Sequence, residues 1–361
     1  MEELMIRTAS KDYPVFVGAH AIEQLPIFIK ERFPSITNLL IITDQNVGER
    51  YLSLLVGILS DFNPSYYLVP NGESAKTFEV YQQCMTYCLE EKLDRKSLLL
   101  SFGGGAVGDL SGFVAATFMR GIPFIQIPTT ILAHDSAVGG KVAINHPLGK
   151  NMVGAFYQPE AVFYDLKFLQ SLPLSERRSG FAEVIKHGLI RDPAFFEWLI
   201  ENISNLEELT EEQLNYMLKK GIQIKGSIVS EDETEKGVRA YLNFGHTLGH
   251  AIEGEAGYGQ FTHGEAVLIG MLFALRLSNE IENLSFDSSR LEGWLAKLGY
   301  HLGIPKQLEH QRLLARMKQD KKSVGGEVQF VLLSKVGEPV QRKMDDQFLL
   351  KQLSQFHNYN N

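Results

Sequence analysis

The chain has 361 residues, 44% hydrophobic and 22% charged, with a formal net charge of −8. That length predicts two domains of ordinary globular composition. The acidic balance excludes a general binder of nucleic acid or anionic membrane, and any anionic substrate then needs a local basic pocket.

In chain order, residues 1–5 lack the basic and apolar segments of a secretory signal, and no apolar run approaches a membrane span. A cytoplasmic protein without membrane or nucleic-acid partners is therefore expected. Short apolar runs at 38–44, 66–69, 97–102, 124–127 and 161–164 read as buried strands. Amphipathic stretches at 77–93 and 109–118 read as helices between them. The alternation predicts βαβ units, a mostly parallel sheet, and ligands beyond the carboxyl ends of its strands. Cys84 and Cys88, the only two cysteines, stand four apart on a predicted helix. They read as packing residues, and such sparse use fits a reducing compartment. Near Leu172 the pattern turns helical and stays so to about Gln319. The domains expected are therefore an α/β unit over 1–172 and a mainly α-helical unit over 173–361. A strand and turn follow at Val328–Gly337, and the polar tail from Phe356 is expected to fray.

Three segments of the first half invite a cofactor. Gly103, Gly105 and Gly108 match G-x-G-x-x-G between a strand and a helix, where a pyrophosphate meets backbone amides and a positive helix end. The match departs from the usual dinucleotide fingerprint, because the loop follows a later strand and not the first. The acidic residue best placed for ribose hydroxyls, Asp44, lies upstream at the end of an earlier strand. Asn71, Gly72, Glu73, Ser74, Ala75 and Lys76 form another strand-end loop, whose lysine could face phosphate.

Three segments of the second half concentrate metal-ligating residues. Glu183 and Lys186 are three apart, so they share a helix face; His246 and His250, four apart, share another. His263 and Glu265 open a long apolar helix. One carboxylate and two histidines with an open position make a catalytic zinc site. Spacing favours His246 with His250, but it leaves the choice among His246, His250 and His263 open.

Pro128-Thr129-Thr130 ends a strand, and a long glycine-rich stretch follows with Asp135, Lys141, Lys150 and Asn151. Long loops of this kind tend to be functional. Arg120 lies just before it, and Lys225, Arg239 and Lys321 lie in the second half. Gathered near glycines and a metal, these residues suit a small anion.

With these segments assembled, the chain resembles the 3-dehydroquinate synthase family over nearly its whole length. The resemblance rests on GGGAVGDLSGFVAATFMRG (103–121), VGGKVAINHPLGKNMVGAFYQP (138–159), GFAEVIKHG (180–188), LNFGHTLGH (242–250) and THGEA (262–266). It implies a Rossmann-like N-terminal domain, a helical metal-binding C-terminal domain and a homodimer. It implies a divalent metal, zinc or cobalt, on Glu183, His246 and His263, with His250 left for substrate. It implies NAD contacts at Asp44, the Asn71 to Lys76 loop, Gly105, Ala106, Val107, Gly108, Asp109, Thr129, Thr130, Lys141, Lys150, Phe168, Leu169, Gln170 and Ser171. Asp135, Lys141, Lys150, Asn151, Lys186, Lys225, Arg239, Asn243, His250 and one of Lys321 and Lys322 would line the substrate pocket. Arg120 is similar to a residue that the family lends across its dimer interface. Two local departures stand out. The stretch Thr130–Asp135 is one residue shorter than in many members, and Ser171 stands where threonine is frequent.

The implied reaction converts 3-deoxy-D-arabino-heptulosonate 7-phosphate to 3-dehydroquinate and phosphate, the second step of the shikimate pathway. Transient oxidation at C5 by NAD acidifies the C6 proton, and phosphate leaves by elimination. The hydride then returns, the ring opens, and an aldol step closes the carbocycle. Two alternatives share much of this equipment: a sister sugar-phosphate cyclase, and an NAD- and metal-dependent polyol dehydrogenase. The second has little use for so many anion-binding residues.

Overall fold

The computed structural model describes residues 1–257, 260–319 and 327–359. Lys321 and Lys322 lie outside them. The chain divides into two compact units, Met1–Leu172 with Leu214–Thr234, and Pro173–Gln213 with Glu235–Asn361. The break at Leu172 coincides with the expected change of architecture. Residues 214–234, expected in the helical domain, belong with the first unit instead. Most of the helix Glu211–Glu231 is thereby joined to the N-terminal strands. Lys219 pairs with Glu2, and Glu233 accepts from the Ser10 amide at 2.9 Å and from Gln158 at 2.8 Å. Helical periodicity reports which face is apolar, not which neighbour covers it.

The first unit is built on a seven-stranded sheet. Its strands are β1 (Glu2–Ile6), β2 (Tyr13–Gly18), β3 (Leu39–Asp44), β4 (Ser65–Val69), β5 (Leu98–Gly103), β6 (Phe124–Pro128) and β9 (Ala161–Asp165). Their order is β1-β2-β9-β6-β5-β3-β4. Only β1 runs antiparallel to its neighbour; every other pair is parallel. Strands β3, β5, β6 and β9 are buried along their whole length. That is why they read as unbroken apolar runs rather than alternating ones. One core packs around Leu40, Val107 and Phe124, the other around Ile41, Phe102 and Phe163.

β3 pairs with β4 on one side and β5 on the other. The chain's winding reverses there, and the crevice beyond the carboxyl ends of β3 and β5 is where such sheets bind ligands. Asp44 ends β3 and Gly103 ends β5. The glycine-rich stretch after β6, expected as a long loop, folds in its second half into a hairpin of β7 (Lys141–His146) and β8 (Gly149–Phe156).

The second unit is mainly helical. Its helices are Leu174–Arg191, Pro193–Asn202, His246–Ala256, His263–Ile281, Ser288–Lys297, His310–Gln319 and Asp346–Tyr359, with a hairpin of β10 (Val328–Lys335) and β11 (Glu338–Met344). The tail expected to fray from Phe356 is helical to Tyr359. Among the described residues no helix is long and apolar enough to cross a membrane.

Cys84 and Cys88 are free and buried in the helix Phe78–Glu90, and burial pushes both thiols up to about 12. The thiolate is the reactive form. A thiol reagent should therefore label neither cysteine in the folded protein and both after denaturation.

Candidate metal and nucleotide site

The helix Gly105–Thr117 starts inside the glycine segment, four residues earlier than expected. Its first backbone bond runs from the Gly108 amide to the Gly104 carbonyl at 3.0 Å. The amides of Gly105, Ala106 and Val107 precede it and point out of the helix start. The glycines are needed for closeness: a Cβ on Gly105 would stand 3.0 Å from Ser136 Oγ, and one on Gly103 2.7 Å from Val107. Beside this cradle Thr129 is buried, its amide on the Gly103 carbonyl at 3.0 Å. The hydroxyl of Thr130 is buried and meets no hydrogen-bond partner among the described residues. A ligand bearing phosphate and hydroxyl groups fits such a cradle.

Asp44 caps the turn after β3 by accepting from the Val47 amide at 3.1 Å, and burial raises its carboxyl above the usual range. Asn71 accepts from the Asn46 amide at 3.0 Å and takes the Ser74 hydroxyl on its carbonyl at 2.7 Å. Gly72, at φ +62°, meets no obstacle, and Ala75 is buried. Lys76 folds inward. Its ammonium is buried, 2.6 Å from Asp109 and bonded to Asn151. Burial raises the Asp109 carboxyl while Lys76 pulls it down. Asn151, expected in the substrate pocket, thus braces Lys76. Glu73 accepts from Asn145 at 2.7 Å, with Lys150 3.9 Å away. Phe168 and Leu169 are core residues, with Phe168 packed edge-to-face on Tyr51 and Phe102.

Asp135 and Lys225 lie together in the first unit, with Lys225 bonded to the Asp135 carbonyl and 3.2 Å from its carboxylate. This pairing is a further tie between residues 214–234 and that unit, and nothing in the spacing of the sequence signals it. Lys141 begins β7, half-buried. Arg120 is exposed, in a turn with φ +68°.

In the second unit, Glu183 and Lys186 are both buried and form an ion pair along one helix face. Arg239 is fully buried, and Asn243 donates to Glu235 at 3.0 Å. Three histidines gather nearby. One ring nitrogen from each of His246, His250 and His263 falls within 4.8 Å of the others. His246 and His250 are one helical turn apart, and His263 opens the next helix behind a capping box of Thr262 and Glu265. Gly245, at φ +81°, lets the His246 helix begin, where a Cβ would stand 2.4 Å from Met271.

Glu183 faces two of these histidines. Oε1 of Glu183 lies 3.5 Å from Nε2 of His246 and 3.5 Å from Nε2 of His263. Two ligands each about 2.1 Å from a tetrahedral ion stand roughly 3.4 Å apart. The two carboxylate–imidazole distances match that spacing, and a carboxylate with imidazoles is a donor set that suits zinc or cobalt. Burial lowers the proton affinity of His263, but Glu183 and Glu253 outweigh it and raise its pKa to about 9.

The fold of this chain recurs in solved structures. A 2-deoxy-scyllo-inosose synthase complexed with carbaglucose-6-phosphate, NAD+ and Co2+ is 26% identical, with TM-score 0.89 over 98% of this chain and 100% of its own. A 2-epi-5-epi-valiolone synthase from Streptomyces hygroscopicus subsp. jinggangensis 5008, with NAD+ and Zn2+ bound, is 22% identical. It shares the fold with TM-score 0.85 over 97% of each chain. The architecture is that of the sugar phosphate cyclases. The family models for the N-terminal and C-terminal parts of 3-dehydroquinate synthase match residues 66–179 and 180–323. A 3-dehydroquinate synthase from Geobacillus thermodenitrificans (strain NG80-2) is 53% identical over 359 residues, covering 99% of this chain and 98% of its own. The chain belongs to the 3-dehydroquinate synthase family.

Proposed function

We propose that the chain is a carbon–oxygen lyase converting 3-deoxy-D-arabino-heptulosonate 7-phosphate to 3-dehydroquinate and phosphate. The observation that carries this is the equal spacing of Glu183 from His246 and His263, in a chain of this family. NAD, when bound, accepts and returns one hydride, and a divalent metal lends Lewis acidity to substrate hydroxyls. Glu183, His246 and His263 hold the metal. Asp44 takes the ribose hydroxyls, the amides of Gly105 to Val107 take the pyrophosphate, and Thr129 and Thr130 flank it.

The substrate carries a phosphate and a carboxylate, which calls for fixed cations. In the first unit Lys141, Lys150 and Lys225 offer them; in the second, Lys186 and Arg239 do. They act by orienting the substrate and by stabilising charge as phosphate departs. His250, its ring centroid 5.3 Å from that of His246, moves a proton at the ring. The departing phosphate serves as base for the C6 proton, so no dedicated general base is required. We further infer a cytoplasmic homodimer. The exposed Leu148, Met152 and Phe156 of the β7–β8 hairpin support the dimer, and two reduced, buried cysteines support the compartment.

The test is product formation from the heptulosonate phosphate with NAD or metal withheld in turn. Dehydroquinate should form only with both, and a chelator should stop it. Equal turnover of a sugar phosphate lacking the carboxylate would point to a sister cyclase.

Asp44 gives a second expected result. Ribose hydroxyls donate to the charged carboxylate, while burial favours the neutral form. NAD affinity should therefore fall as pH drops through the raised carboxyl range. Asp44→Asn should weaken NAD roughly tenfold to a hundredfold, from about 1.5–3 kcal/mol for a charged hydrogen bond, and should flatten that pH dependence. Quenching of the protein's aromatic fluorescence by added NAD, titrated at several pH values, measures both.

A further inference from the structure

The two histidines that face Glu183 are each held from behind. Nδ1 of His246 lies 3.2 Å from the Phe244 carbonyl, and Nδ1 of His263 lies 3.2 Å from Oε2 of Glu253. In both rings the other nitrogen, Nε2, is the one 3.5 Å from Glu183. Glu253 is buried and stands on the His246–Ala256 helix, seven residues after His246 and three after His250. Those offsets put it on the same face as both histidines. One helix thus carries a metal-facing histidine and, two turns on, a carboxylate that reaches the first residue of the next helix.

We propose that Glu253 is a positioning residue for the metal centre: it accepts the Nδ1 proton of His263, fixes that ring's tautomer and orientation, and leaves the Nε2 lone pair to the metal. A carboxylate behind a ligand histidine also makes the ring a stronger donor, and losing such a partner typically costs 10–100-fold in metal affinity. A backbone carbonyl, as behind His246, supplies the orientation without the full charge. The inference rests on the ligand set proposed above.

The experiment measures zinc affinity of the metal-free full chain by competition with a chromophoric chelator, alongside its thermal unfolding. Glu253→Ala should bind zinc about 10–100-fold more weakly than wild type. Glu253→Gln keeps an acceptor oxygen but not the charge, so its affinity should fall between the two. A purely structural role would lower the unfolding temperature and leave affinity alone. In a His263→Ala background, Glu253→Ala should change affinity less than twofold, because the ring it acts through is gone. Zinc affinity of Glu253→Ala within twofold of wild type overturns the inference. If that variant does not fold, wild-type affinity in Glu253→Gln overturns it. Loss with His263→Ala but none at Glu253 sinks this inference alone, whereas unchanged affinity in His263→Ala sinks the ligand set with it.

Discussion

His263→Ala should emerge folded, nearly devoid of metal and slower by about a thousandfold or more. A metal that polarises substrate oxygens is worth several kcal/mol at the transition state, and roughly 4 kcal/mol is a factor of a thousand. The fold should survive because His263 is the first residue of its helix and the capping box of Thr262 and Glu265 remains. The pH behaviour is specific. The His263 pKa is raised from 6.5 to about 9, so the metal-free folded chain carries a proton there at neutral pH. Metal must displace it, so affinity should rise with pH and level off near pH 9, with proton release detectable by calorimetry in two buffers. In the metal-free protein the sign reverses. The stabilisation from the charged ring is full below about pH 6.5 and is lost as pH rises through about 9. His263→Ala should show neither dependence. Full metal content in the variant would contradict this.

Gly264→Ala should be nearly as damaging without touching a ligand. A Cβ there would lie 1.9 Å from the Ser179 carbonyl oxygen, which is backbone and has no rotamer to escape into. The Gly264 amide also donates to Ser179 Oγ at 3.1 Å. The contact joins the helix carrying Glu183 to the start of the helix carrying His263. A methyl group must push the two apart, costing about 3 kcal/mol or more by the upper range for overpacking. The same displacement widens the 3.5 Å spacing between Glu183 and His263. Both metal content and unfolding temperature should fall together. An unchanged unfolding temperature with full metal would show that the contact yields cheaply.

Much of this was legible in residue order, for identifiable reasons. Strands β3, β5, β6 and β9 are buried on both faces, so each reads as a dense apolar run. β2 alternates in burial, and the period-two pattern of Tyr13, Val15 and Val17 is its signal in the sequence, weaker than a continuous apolar run. The β7–β8 hairpin hid among glycines that look like loop. Glu183, His246 and His263 come from three helices, and no spacing rule joins residues that far apart in the chain. Local periodicity instead favoured His246 with His250, a true neighbour pair on one helix face. Only the resemblance singled out His263, and the 3.5 Å distances to Glu183 then gave it a physical basis. The Lys76–Asp109 pair is not legible in local order, because Asp109 lies 33 positions on and 2.6 Å away.

The most direct test of the central claim is a balance sheet of the cofactor. The metal-loaded protein is given the heptulosonate phosphate and an equal concentration of NAD, and the reaction is run to completion. Absorbance at 340 nm and inorganic phosphate are then read together. A cyclase that borrows and returns its hydride releases one phosphate per substrate and leaves no net NADH. Stoichiometric NADH, with the phosphate still attached, would make the chain a dehydrogenase and contradict the account.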